Sequence, residues 1–174
     1  MRKLLKFSAV LLCALFAAAQ FVRPSRVNPP SDEGRALAAH VRVDERVEAI
    51  LKRSCMDCHS NRTSWPWYSN VAPASWFVAD HVRHGRQHLN FSDWARYDRT
   101  EAAHLLSDIC RTAKRGTMPL ASYTLMHRGA RLHAADVAAL CEWSQRERER
   151  LASARDVGAE GFSRGLDTDE RARR

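Results

Sequence analysis

The chain has 174 residues, of which 45% are hydrophobic and 28% charged, and this excludes wholesale disorder and a polytopic membrane protein. Its net charge is +8, but most of the basic excess is Arg scattered among Glu and Asp, so no concentrated basic face suits nucleic acid. Seven glycines and six prolines are too few for a linker or collagen-like protein.

Residues 1–22 read as a signal peptide or an N-terminal membrane anchor. Arg2, Lys3 and Lys6 precede an apolar run over 7–22. That run is short for a spanning helix of roughly 20 apolar residues and suits the apolar part of an export signal. Ala17–Ala19 supply small residues for cleavage before Gln20, whereas Arg23-Pro24 would end a retained anchor. Cys13 lacks the small preceding residue that lipidation favours. The expected location is therefore the periplasm, free or tethered to the inner membrane, where disulfides are allowed.

Residues 23–40 hold three prolines and read as an extended spacer, with a folded domain over 41–150. Helical spacing of Val43, Val47, Ile50 and Leu51 predicts a helix over 44–54, capped by Asp44. A second helix is expected over 74–89. A third spans 100–115, with Thr100 as its cap and Gly116 just past its end. The last covers 136–150, turning Val137, Leu140, Cys141 and Trp143 inward. Residues 151–174 are charged and read as a disordered tail. The class is all-α.

Cys55-Met-Asp-Cys58-His59 carries the chemistry. Two thiols at this spacing can add to the two vinyl groups of one haem, and the following His then becomes an axial iron ligand. A thioredoxin-like pair would need a βαβ context, and a zinc site a second Cys/His pair. The expected cofactor is one covalent haem c. Met118, in Gly116-Thr-Met-Pro119 after the third helix, leads as the second ligand, because a thioether is a suitable axial donor. Met126, His127 and the histidines 81, 84 and 88 remain alternatives. His81, His84 and His88 share one helix face, best read as a polar surface with Arg83 and Arg86 beside it. Trp65 and Trp67 suit a haem edge, Arg62 its propionates, and Trp76 and Trp143 ordinary core. The carbonyl of Pro73 is the expected partner of the His59 imidazole. Cys110 and Cys141 either pair with each other or stay as two separate buried thiols.

Two stretches, C-H-S-N-x-T-x-W-P-W-Y-S from Cys58 and M-P-L-x-x-Y-T-x-x-H from Met118, resemble the bacterial haem-binding domain family of small c-type cytochromes. The resemblance covers about residues 41–145. It implies a cytochrome c-like domain of four or five helices around one haem. Cys55 and Cys58 would hold that haem, with His59 as proximal and Met118 as distal ligand. His133 stands where such sequences often place a Ser at the start of the last helix. The expected function is electron transfer in the bacterial cell envelope with redox partner proteins. The alternatives are a haem enzyme or sensor with an open iron site, and a non-haem redox dithiol or metal module.

Overall fold

A computed structural model describes the backbone of residues 1–172 and the side chains of residues 1–153. The chain is all-α, and no strand occurs among the described residues. The helices are α1 (Arg2–Ala19), α2 (Leu37–His40), α3 (Glu45–Ser54), α4 (Met56–His59), α5 (Ala74–His88), α6 (Arg99–Lys114), α7 (Ala121–Met126) and α8 (Ala134–Ala172), joined by short 3₁₀ turns. The four helices expected from periodicity are α3, α5, α6 and α8. The others are α1 and three segments of one or two turns, too short to show a period.

Local chemistry fixes the helix ends. Asp44 Oδ1 accepts from the Val47 N–H at 2.9 Å, as expected of an N-cap. The cap of α6 is Asp98 rather than Thr100: its carboxylate accepts from Glu101 N–H at 2.8 Å, and Thr100 is already inside the helix. Gly116, at φ 66°, ends this helix in the left-handed region. At α8 the residue His133 offers no side-chain cap. Asp136 reaches back instead and accepts from the His133 N–H at 2.9 Å, one half of a capping box. α8 runs past the expected end at 150, and the tail expected over 151–174 lies, from residue 154 on, outside the residues whose side chains are described.

The core gathers Val47, Ile50 and Leu51 of α3, Leu106 and Ile109 of α6, and Leu140 and Trp143 of α8. Trp143 is buried and donates through Nε1 to Arg42 O at 2.8 Å. Trp76, expected in the core, stays 38% exposed and donates to Val22 O. The domain also begins earlier than Val41, because Leu37 is 3% exposed and belongs to the core. Residues 20–30 are strapped to the domain rather than free. Gln20 bonds both the N–H and the carbonyl of Ala72, Asn28 donates to Thr63 O, and Asn61 donates to Pro30 O. Among the described residues, no helix is long and apolar enough to cross a membrane.

α6 and α8 are joined by a Cys110–Cys141 disulfide with Cα atoms 4.7 Å apart, within the bridging range. A Cys110→Ser/Cys141→Ser chain should lose about 3–4 kcal/mol of unfolding free energy, the chain-entropy value for a closed loop of this length. Denaturant titration of both chains under non-reducing conditions measures it; equal midpoints would contradict the expectation.

Candidate functional site

The two thiols and the imidazole of the C-x-x-C-H segment are set by two consecutive helix ends. α3 stops at Ser54, Cys55 leaves helical geometry at φ −128°, and the single turn of α4 carries Cys58 and His59. Cys55 and Cys58 are not joined to each other. Burial pushes the Cys55 thiol up to about 12, with Cys58 adding to the rise. Burial also pushes Cys58 up to about 11, helped by the neighbouring Asp57 carboxylate. A redox dithiol needs one thiol depressed toward thiolate. Burial and neighbouring negative charge raise both thiols here, opposite to the depression that a redox dithiol uses.

His59 is held from α5. Its Nδ1 lies 3.0 Å from Gly85 O and 3.0 Å from Leu89 O. Carbonyls only accept, so Nδ1 carries the hydrogen and Nε2 keeps its lone pair for a metal. Burial lowers the imidazole's proton affinity, against the opposing effect of the two carbonyls, and favours this neutral form. The orienting carbonyls are thus those of Gly85 and Leu89, not Pro73. Sequence distance pointed to Pro73, but it sits at the far end of α5.

This close approach depends on Gly85. A Cβ built there would stand 2.5 Å from Cys58 O and 3.3 Å from Cys58 Cβ. Nothing in the sequence reading marked Gly85; its signal was a glycine inside an otherwise helical pattern. Arg86, the next residue, ties the same region together. It donates to Ser60 O, Thr63 Oγ1, Val27 O and Asn28 Oδ1.

Cys55, Cys58, His59 and Met118 line one cavity of about 450 Å³. Its apolar wall includes Leu105 and Ile109 of α6, with Leu132 and Leu140. His81, His84 and His88 of α5 also line it. Among the described residues no three His, Cys, Asp or Glu side chains are grouped to hold a bare metal ion. Met126 lines an adjoining cavity of about 300 Å³ with Phe77 and Tyr68, which shares Cys58, His81, Leu120 and Tyr123 with the first. His127 is outside both cavities and stacks on Tyr123 at 4.3 Å. Trp65 and Trp67 do not line the large cavity: Trp65 donates to Asn28, and Trp67 is 74% exposed. Arg62 pairs with Glu33 at the surface.

A family model described as a haem-binding domain matches residues 14–146. The chain belongs to the haem-binding domain family. No curated protein and no solved structure matches it significantly. The match begins within α1 and takes in the strap, in keeping with the early start of the folded unit.

The residues of this haem-binding domain suit a haem. The cavity has the volume of a small-molecule site and is mostly apolar, as a flat macrocycle requires. One neutral imidazole offers a free Nε2, and a thioether lies in the same cavity. Ser54 Oγ, also in this wall, is the one buried side-chain polar atom without a partner among the described residues. Tyr123 enters the wall from α7, and its hydroxyl donates to Asp57 Oδ2 at 2.7 Å. Burial and that carboxylate push the Tyr123 phenol well above its ordinary value, so it remains a donor.

Proposed function

We propose that this haem-binding domain is a monohaem c-type cytochrome that carries electrons in the bacterial cell envelope. Cys55 and Cys58 hold one haem through thioethers, His59 Nε2 is the proximal ligand and the Met118 sulfur the distal one. The bound group supplies one-electron chemistry at its iron, and the chain supplies orientation and a dry setting. The observation that carries the reading is the His59 imidazole, fixed by two carbonyls so that Nε2 alone is free, in one cavity with Met118. A ligand held this firmly moves little between oxidation states. A thioether raises the potential relative to a second imidazole, and Leu105, Ile109 and Leu132 give the cavity an apolar wall. The basic start and apolar run of residues 1–22 support export to the periplasm, free or tethered, and redox partner proteins there.

Met118→Ala tests this reading. The haem should stay attached, while the far-red band of a thioether-ligated ferric haem disappears. The ferric spectrum should turn high-spin or water-ligated, the potential should fall, and the ferrous form should gain carbon monoxide binding. An unchanged spectrum would move the ligand to Met126 of the adjoining cavity or to a cavity histidine, His81, His84 or His88. A second reading, a haem enzyme or sensor with an open iron site, draws on His81, His84 and His88 in the cavity wall. It expects carbon monoxide binding by the unaltered protein.

A further inference from the structure

The segment that carries Met118 is lightly anchored. Gly116 turns the chain back, and the Thr117 and Met118 N–H groups both reach Thr112 O, at 3.1 and 3.4 Å. These bonds fix the loop only to the end of the helix it leaves. Beyond Pro119, α7 buries no residue, and Leu125 and Met126 are 68% and 55% exposed. Hydrophobic burial therefore does little to hold it. Among the described residues, the bond from Tyr123 to Asp57 is the one side-chain hydrogen bond that ties residues 118–127 to a distant part of the chain.

Its acceptor sits between the two thiols. Asp57 is itself immobilised: Oδ1 accepts from Ser64 N–H at 3.0 Å, and its carbonyl accepts from Thr63 Oγ1 at 2.7 Å. We propose that the Tyr123–Asp57 bond is a latch that clamps the Met118 segment directly onto the haem-attachment loop, with Tyr123 as a positioning residue that sets how often the distal site opens. The proposal rests on the reading of Met118 as distal ligand only for its effect on the iron. The effect on the segment itself stands apart from that reading.

The test uses the full, haem-loaded chain. Tyr123→Phe keeps the ring and its stack on His127 and removes only the hydroxyl. Amide exchange over residues 118–127 should rise roughly tenfold or more, the size expected when a hydrogen bond to a charged acceptor is lost. Imidazole should bind the ferric iron faster by a similar factor, counted per attached haem. Asp57→Asn, which keeps an acceptor, should give a smaller rise in both rates. Tyr68→Phe, whose hydroxyl makes no hydrogen bond among the described residues, should match the native chain. Native exchange over 118–127 in Tyr123→Phe would overturn the latch. If that chain fails to accumulate, Asp57→Ala, which removes the acceptor, decides alone, and no rise in its exchange overturns the proposal. A Met118→Ala chain that keeps the thioether band would instead overturn the ligand assignment and leave the exchange result standing.

Discussion

A chain with Cys55→Ala and Cys58→Ala together should carry no haem that survives denaturing electrophoresis. On the proposed reading each thiol forms one thioether, so either single replacement should leave a weaker, singly attached product. The fold should suffer less than the attachment. Cys58 is only half-buried, and an Ala in its place removes a single sulfur from the wall of an existing cavity. A native-like melting profile in the haem-free state, combined with loss of haem staining, is the expected pair of results. Persistent staining of the double variant would show that the haem is held some other way.

The second large effect is expected from Gly85→Ala. Mid-helix, this change normally stabilises by about 1 kcal/mol through helix propensity. Here the sign reverses. The new methyl would meet the Cys58 carbonyl oxygen at 2.5 Å and its carbon at 3.1 Å, both backbone atoms that cannot rotate away. α5 must then retreat from the attachment loop. That retreat takes the Gly85 and Leu89 carbonyls away from His59 Nδ1. Overpacking of this kind costs typically 1–3 kcal/mol, and the freed imidazole should lower the yield of haem-loaded protein several-fold. Denaturant midpoints and the haem-to-protein absorbance ratio measure the two effects. A gain in stability would show that the helix accommodates the methyl.

What was legible in the sequence was what side-chain identity encodes locally. Asp44 capped α3 as read, and the apolar spacing of α3, α6 and α8 located the core. The C-x-x-C-H segment and Met118 fell in one cavity because each sits just past the end of a well-patterned helix. What stayed hidden depended on backbone atoms and distant partners. The carbonyls that orient His59 lie in α5 and at its C-terminal cap, 26 and 30 residues on, and any residue type offers a carbonyl. Thr100 and Asp98 both suit a cap, and only the backbone path chose between them. The strap residues Val27 and Asn28 looked like spacer, and Gln20 like part of the leading segment, because each finds its partner more than thirty residues away. Tyr123 and Asp57 likewise meet across 66 positions.

Arg86 imposes an order of assembly. Its guanidinium joins Val27 and Asn28, 59 and 58 residues before it, to Ser60 and Thr63, 26 and 23 residues before it. As the chain is made, the strap and the Cys55–Cys58 loop both emerge ahead of the residue that bridges them, and that bridge waits for α5. Contacts over such separations must first overcome loop-closure entropy, so they form late. Until that bridge forms, Cys55 and Cys58 sit on a loop still open to solvent, and on the proposed reading this interval is when both sulfurs would meet the haem.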